Sequence, residues 1–316
     1  MGMLALPRPL IDGRIPARSV RDSHAARIRE TQMPSSAWQR HAPKHCEQCG
    51  YNLCMIVDAR HPRAIRADIR SRKLTGPTAG LGQNYVQANL AVLPREHAYD
   101  FLLFCQRNPR PCPLLEVTDP GNPEPVAIAP GADLRTDIAK YRIYAHGELS
   151  AEVTDIKAYW RDDLVAFLIG CSFTFEWALL DAGVRLWHIE HGKGVAMWRT
   201  SIECRPAGHL RGPMVVSMRP IRSGDIAKAV TASARFPGAH GAPIHIGDPA
   251  AIGIADIGTP DWGDAQQFSP GDVPVFWACG VTPQAVALAS KVPLMITHSP
   301  GHMFIADLPN SALAVL

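Results

Sequence analysis

The sequence predicts an α/β fold with two lobes, a layered α/β sheet domain and a smaller, hairpin-rich α+β lobe around residues 112–208. The chain has 316 residues, of which 47% are hydrophobic and 19% are charged, so it can build a sizeable core. After residue 212, short apolar runs alternate with stretches of helical periodicity, which is typical of strand–helix units. Within the middle stretch, β-rich runs flank a short turn, which indicates a hairpin.

The first part of the body predicts a helix, a strand and a second helix. Ile65 and Ile69 in HPRAIRADIRSRKLTG are spaced as on a surface helix that ends before TGPTAG. YVQANLAVLP alternates as a strand does and ends at Pro94. REHAYDFLLFCQRNP carries Phe101 and Cys105 at helical spacing before an Asn-Pro stop.

The middle and the end of the body also show the patterns of strands and helices. PCPLLEV reads as a short strand, and KYRIYAHGELSAEVTDI as a hairpin that turns at HGE. WRDDLVAFLIG and SFTFEWALLDAG are both predicted to be helices, separated at Gly170. Three buried strands follow, two of which lead into helices, and the chain closes with one or two strands: GPMVVSMRPI, APIHIGDP, VPVFWACG and PLMITHSPGHMFIADL.

Residues 1–54 differ from this body and are expected to form a poorly ordered N-terminal extension. They carry eight Lys and Arg against four Asp and Glu and show no sustained periodicity. His45, Cys46, Cys49 and Cys54 resemble half of a tetrahedral zinc site, but no second pair follows at the usual spacing, so zinc and plain disorder both stay open. Met55 is an alternative start of the body, which would run over residues 55–316.

Charge and hydropathy exclude several classes of protein. The body is close to neutral and lacks a basic, aromatic-interleaved stripe, so no nucleic-acid partner is expected. No apolar run is long enough to span a membrane, and no secretory signal opens the chain. Eight cysteines without such a signal favour reduced thiols and a cytoplasmic location.

Several long motifs in the body match one family. They include FCQRNPRPCPLLEVTDPG, WRDDLVAFLIGCSFTFEWALL, RTSIECRPAG, HGAPIHIGDP, VPVFWACGVTPQAVALAS and ITHSPGHMFIADL. With these motifs, roughly residues 60–308 resemble the D-glutamate cyclase family, whose bacterial members are provisionally called hydro-lyases. The resemblance implies a two-lobed α/β fold and a lyase that interconverts D-glutamate, or a similar small amino acid, and its 5-oxo-proline lactam with loss or gain of water. It carries over no catalytic residues. We expect no cofactor, a small anionic substrate, and a homodimer as one possible assembly.

That chemistry needs acid–base groups and donors for carboxylates. Cys171 precedes a helix, whose positive end lowers a thiol pKa, and it is a candidate catalytic or pocket-lining residue. Ser172 is either the cap of that helix or a substrate-binding residue. Glu176, one turn later, is either solvated or a base with a raised pKa.

Further candidates lie late in the chain. Arg199 and, less strongly, Arg205 could bind a carboxylate with a planar guanidinium. His245 could handle protons with Asp248 as its partner, although it could equally be a core histidine. Cys279, a candidate catalytic or pocket-lining residue, precedes a helix start at Thr282-Pro283 that could hold an anion.

His298 is a candidate catalytic base, and His302 a candidate substrate-binding residue. If the last three strands are neighbours, we expect His245, Cys279 and His298 to meet at one sheet edge. A metal ion held by His298, His302 and a third ligand is a weaker alternative. The predicted site contains no metal ion. A binding module for a small anionic metabolite, without catalysis, is the alternative function.

Overall fold

The structure is a computed structural model that describes residues 60–315. The zinc half-site at His45, Cys46, Cys49 and Cys54 and the alternative start at Met55 lie outside the described residues. Within the described part, helices and strands alternate along most of the chain.

Six α-helices and eleven strands form this part of the chain. The helices are α1 (Pro62–Arg70), α2 (Arg95–Arg107), α3 (Phe173–Asp181), α4 (Trp187–Glu190), α5 (Ile226–Ala234) and α6 (Thr282–Ser290). The strands are β1 (Tyr85–Pro94), β2 (Leu114–Val117), β3 (Tyr141–Ala145), β4 (Glu148–Val153), β5 (Leu164–Gly170), β6 (Ala196–Glu203), β7 (Pro213–Arg222), β8 (His245–Ile246), β9 (Asp272–Ala278), β10 (Leu294–His298) and β11 (Phe304–Pro309).

The strands form two sheets, and every described strand pair is antiparallel. The larger sheet has the order β2-β5-β1-β10-β3-β4, with β11 paired to β1 beside β10. The smaller sheet has the order β6-β7-β9-β8. Helices cover both sheets, so the predicted α/β class is confirmed. Strands within residues 112–208 fall in both sheets, and the boundary of a smaller lobe stays a prediction.

One prediction of secondary structure is wrong, because LVAFLIG is strand β5 and not a helix. All seven of its residues are buried, and it pairs with β1 along one edge and β2 along the other. A short, continuous apolar run fits a central strand and a buried helix equally well by periodicity. The run forms a strand because it pairs with β1 and β2, which lie far away in the sequence.

The core has layers on both faces of each sheet. Val86, Ala88, Leu90 and Val92 of β1 face one cluster, while Ala91 and Leu93 face another that contains residues of α2 and α6. In the smaller sheet, Ile221 and Trp277 pack on α3 and α5, and Met218 and Phe276 point to the opposite face. Helix α3, which directly follows β5 of the larger sheet, therefore also covers the smaller one.

No helix among the described residues is both long and apolar enough to cross a membrane.

Gly170, the last residue of β5, lies against the backbone of another segment, and an alanine there should destabilise the fold. A Cβ atom at Gly170 would lie 1.8 Å from the carbonyl oxygen of Gly238, a backbone atom that cannot rotate away. We expect Gly170→Ala to lower the free energy of unfolding by about 3 kcal/mol, measured in urea. Gly224→Ala is the control, since a Cβ there meets no atom within 4 Å, and it should change stability by less than about 0.5 kcal/mol. Equal effects of the two substitutions would contradict this account.

Candidate active site

The candidate site centres on Arg219, a fully buried arginine in the middle of β7. Alternation along the strand places Ser217, Arg219 and Ile221 on the face that α3 covers. The guanidinium carbon lies 5.6 Å from the ring centre of Phe175 and 5.4 Å from that of Trp277. A buried charge of this kind requires hydrogen-bonding partners, and these partners define the site.

Arg219 is bound by side chains from three segments. Its Nε donates to Oε1 of Glu176 at 3.0 Å, and its Nη2 donates to the same oxygen at 2.5 Å. Nη2 also donates to Oγ of Ser172 at 2.8 Å, and Nη1 donates to Oγ of Ser217 at 3.0 Å. A guanidinium carries five N–H donors, so one N–H of Nη1 is left outside these four hydrogen bonds.

His188 of α4 is the third ionisable group in this cluster. Its side chain has no exposed surface, and its Nε2 lies 3.1 Å from Oε1 of Glu176. The contact is close, but it does not have the geometry of a hydrogen bond. Neither ring nitrogen of His188 has a hydrogen-bond partner among the described residues.

The cluster sets the charge of Glu176. Burial by itself would raise the pKa of this carboxyl, but the neighbouring His188 ring and the Arg219 guanidinium outweigh burial and hold the pKa well below its usual range. The expectation of a solvated Glu176, and that of a raised pKa, are both wrong. Burial brings Glu176 into contact with a cation that periodicity along α3 could not reveal.

Two strand-to-helix turns meet beside this cluster. In the first, β5 leads through Cys171 and Ser172 into α3, and in the second, β9 leads through Cys279 and Gly280 into α6. No backbone carbonyl among the described residues accepts the N–H of Ser172 or Gly280. Each helix therefore presents unpaired amides at its positive end, an arrangement that favours anions.

Asn89 of β1 joins the two turns. Its side-chain Nδ2 donates to the carbonyl oxygen of Gly170 at 2.7 Å. A Cβ atom on Gly280 would lie only 1.9 Å from the same Nδ2. Both turns thus contact one buried amide, and the close approach at Gly280 requires a residue without a side chain.

The thiols of Cys171 and Cys279 are both protonated at neutral pH. Burial raises the pKa of Cys171 far above its usual value, and it raises the pKa of Cys279 to about 11. The expectation that the helix end lowers the Cys171 pKa is therefore wrong, because desolvation of a fully buried thiolate costs more than the helix end returns. These sulfurs can hold or donate a proton, but they are not thiolate nucleophiles.

Three of the predicted site residues come together here: Cys171, Ser172 and Cys279. Cys171 lies within electrostatic range of Cys279, Glu176 and Arg219. Ser172 occupies the cap position of α3, but its hydroxyl makes no capping hydrogen bond and instead accepts from Arg219. Of the two interpretations of Ser172, the structure supports a role in this polar cluster.

The two predicted arginines lie elsewhere. Arg199 is half exposed, binds Asp261 through Nη2 at 2.8 Å and stacks on Trp262 at 5.2 Å. Arg205 is exposed, and its backbone pairs with the side chain of Asn108. Their contacts do not include any residue of the Arg219 cluster.

His245 and Asp248 form a local turn in the smaller sheet. Nε2 of His245 lies 2.7 Å from the backbone oxygen of Asp248. The carboxylate of Asp248 accepts from the N–H of Ala250 and starts a short 3-10 turn. The predicted pair is thus in contact, but through the backbone carbonyl of Asp248 and not through its carboxylate.

His298 completes the larger sheet where β10 leaves β1. Its Nδ1 accepts the N–H of Leu90 at 3.1 Å, which supplies a hydrogen bond that the strand no longer makes. Burial lowers the pKa of His298 to about 4, so the ring is neutral, and its Nε2 is buried without a partner among the described residues. His302 lies nearby, with Nδ1 3.1 Å from the carbonyl oxygen of Pro300.

The expected meeting of His245, Cys279 and His298 at one sheet edge is wrong. Strands β8 and β9 are neighbours in the smaller sheet, whereas β10 belongs to the larger one. Antiparallel pairing of distant strands, which the order of elements in the sequence does not specify, separates them. In residues 60–315, no group of three or more His, Cys, Asp and Glu side chains is placed to hold a metal ion.

Sequence reasoning missed Arg219 and gave His188 no role. The signal for Arg219 was present, since GPMVVSMRPI is a buried strand pattern interrupted by one arginine. Such a residue needs a buried acidic partner, and Glu176 in an apolar helix is the natural candidate. His188 lies in the short helix α4, and its role depends on the contact with Glu176, which is twelve positions away in the sequence.

Comparisons with known proteins place this cluster in a shared region. Residues 165–307 match the family model described as D-glutamate cyclase. A relative from Stutzerimonas stutzeri is 60% identical over 255 residues, which is 81% of this chain and 96% of the relative. One from Thermoanaerobacter sp. strain X514 is 63% identical over 80% of this chain and 96% of its own length. One from Bacillus subtilis is 57% identical over 81% of this chain and 99% of its own length. All three are provisionally named hydro-lyases.

Among solved structures, a nitrogen repressor-like protein from Methanococcus jannaschii covers 77% of this chain and 97% of its own. The identity is 9% and the TM-score 0.33, so this likeness has no bearing on the function.

The buried ion pair of Glu176 and Arg219 should be far more sensitive to substitution than an exposed one. Glu176→Gln keeps the shape of the side chain but leaves the Arg219 charge buried without its counterion. We expect a loss of about 3–5 kcal/mol in the free energy of unfolding. Asp261→Asn breaks the exposed pair with Arg199 and serves as the control, with an expected loss below about 1 kcal/mol. Similar losses in chemical denaturation would contradict the assignment.

His298 should make the fold less stable in mild acid. Its folded pKa of about 4 lies below the value of about 6.5 in an unfolded chain. Between these values the unfolded state binds the extra proton, so stability falls as the pH drops from about 6.5 to about 4. His298→Asn keeps an acceptor for the Leu90 amide and removes the titration.

The slope of unfolding free energy against pH in that window should therefore become shallower in His298→Asn, by up to about 1.4 kcal/mol per pH unit. An unchanged slope would show that His298 is not held neutral in the folded protein.

Proposed function

Because the chain belongs to the D-glutamate cyclase family, we propose that it interconverts D-glutamate, or a similar small amino acid, and its 5-oxo-proline lactam with loss or gain of water. The observation that supports this best is the buried cluster of Arg219, Glu176, His188 and Ser172 beside two open helix ends. It lies inside the matched region, and it combines donors for carboxylates with groups that can hold protons.

The reaction sets clear chemical demands. In the cyclising direction, the substrate amine attacks the carbon of the γ-carboxylate, a C–N bond forms, and an oxygen of that carboxylate leaves as water. The two hydrogens of that water come from the ammonium group, so no proton is gained or lost overall. The oxidation states do not change, and the proposed reaction therefore requires no redox cofactor.

The substrate carries two carboxylates, and the two turns offer places for them. The amides of Ser172 and Gly280 lie at helix ends, and Arg219 keeps one N–H outside its hydrogen bonds to Glu176, Ser172 and Ser217. Donors fixed in a buried environment stabilise the charge that develops on the γ-carboxylate oxygens. In this proposal Arg219 takes the role that the sequence suggested for Arg199.

The thiols act as proton donors in this scheme. Cys171 and Cys279 are buried, protonated and close to the same turns. Either thiol could give a proton to the departing oxygen and recover it from the amine. Since the five cysteines among residues 60–315 are free, the proposal places the protein in the cytoplasm, where thiols stay reduced.

Turnover by the purified protein tests the proposal directly. Proton NMR of D-glutamate and of 5-oxo-D-proline, each incubated with the protein, should show the other compound appear. The L enantiomers test stereochemistry, and a parallel sample with a chelator tests for a metal requirement. Ligand binding without turnover of any member of a panel of small amino acids and their lactams would overturn the proposal in favour of the non-catalytic binding module.

Ser172→Ala tests whether the Arg219 cluster is the site. The substitution removes the hydroxyl that holds Nη2 of Arg219, and a small displacement of such a group lowers rates by about a hundredfold. Ser290→Ala is the matched control, because its hydroxyl contacts only the backbone of Arg211. Full activity of Ser172→Ala, with a thermal unfolding midpoint like that of the control, would place the chemistry elsewhere.

A further inference from the structure

We propose that His188, positioned by Glu176, accepts the proton that the substrate's ammonium group loses before it attacks the γ-carboxylate. This inference rests on the function proposed above and assigns a group of the substrate to a residue of the site. It makes His188 a catalytic residue and Glu176 a positioning residue.

The position of His188 is the first argument. The ring is fully buried, and its Nε2 lies 3.1 Å from Oε1 of Glu176. The same oxygen accepts two hydrogen bonds from Arg219. The charge of Glu176 is therefore already balanced by one buried cation, and pairing this carboxylate does not require a second basic group.

The unused nitrogen is the second argument. Within a neutral ring, carboxylate contact at Nε2 favours the tautomer that carries its proton on Nε2, which leaves a lone pair on Nδ1. Nδ1 is enclosed and has no partner among the described residues. A buried polar atom without a partner destabilises a fold. A ligand N–H that reaches Nδ1 would remove this penalty.

The neighbouring groups support this orientation. Glu190 of the same helix is paired with Arg185, through Oε1 to Nε at 2.9 Å, so it does not compete for the His188 ring. His191 stacks on Trp187 at 4.3 Å between ring centres and is exposed. Glu176 of α3 is therefore the charged group in contact with the His188 ring, and Arg219 of β7 binds the same carboxylate oxygen.

The proton balance is complete within the substrate. The ammonium group gives one proton to Nδ1, and the neutral amine then forms the C–N bond at the carbon of the γ-carboxylate. The second amine proton and the proton on His188 end on the oxygen whose C–O bond breaks, which leaves as water. The poorly aligned Nε2 contact in the free protein is compatible with this role, because catalytic hydrogen bonds often align only once a substrate is bound.

Chemical rescue tests the assignment. His188→Ala should lower kcat on D-glutamate by roughly 10²–10⁴-fold, the usual contribution of a general base. Added imidazole should restore part of the rate in proportion to its neutral form, a response that a purely structural residue would not give. His191→Ala, on the exposed side of the same helix, should keep wild-type activity and show no response to imidazole.

A second variant covers the case in which His188→Ala does not fold. His188→Gln keeps an amide near Glu176 but has no titrating ring, so it should fold, bind 5-oxo-D-proline and lose turnover to the same degree. Wild-type turnover in either folded variant would overturn the assignment and leave the proposed function intact.

Nitrogen NMR separates the two proposals if the wild-type protein itself shows no turnover, which would overturn the proposed function. In protein labelled with ¹⁵N-histidine, the His188 signals should show the proton on Nε2 and a bare Nδ1. The Nδ1 shift should move on addition of D-glutamate. A proton on Nδ1, or an Nδ1 shift that does not respond to D-glutamate, would overturn the His188 assignment as well.

Discussion

The arrangement of this protein depends on one buried ion pair, that of Arg219 with Glu176. A guanidinium without exposed surface is tolerated only where its hydrogen bonds are made and its charge is balanced. Arg219 lies in the smaller sheet, and Glu176 lies on α3, the helix that follows directly from β5 of the larger sheet. The pair therefore joins α3 to the smaller sheet, and Ser172 contacts Arg219 while His188 contacts Glu176.

The same constraint explains why the nearby thiols are not nucleophiles. Exclusion of water strengthens the ion pair, and it also disfavours thiolates at Cys171 and Cys279. A site of this kind starts with an ionised carboxylate and neutral sulfurs. Chemistry that moves protons between a substrate amine and a carboxylate oxygen suits it better than covalent catalysis through a cysteine.

Sequence patterns predicted the local features and failed where distant partners decide. The turns at Cys171 and Cys279 follow from apolar runs that end in small residues before a helix start, and both were identified. The sequence predicts a helix for β5, because seven consecutive apolar residues show neither a helical nor a strand periodicity. Its pairing with β1 and β2 makes it a strand. His298 is predicted from the sequence to be a catalytic base, whereas in the structure its Nδ1 accepts the backbone N–H of Leu90. Arg219 was missed because its partner is forty-three positions away.

The position of a bound product tests the central claim most directly. In a crystal structure of the protein with 5-oxo-D-proline, the account predicts the ligand beside Arg219 and Ser172, with its carboxylate at the amides of Ser172 or Gly280 and its ring N–H toward His188. A ligand bound at Arg199 and Asp261, or at His245 and Asp248, with the Arg219 cluster unchanged, would contradict it.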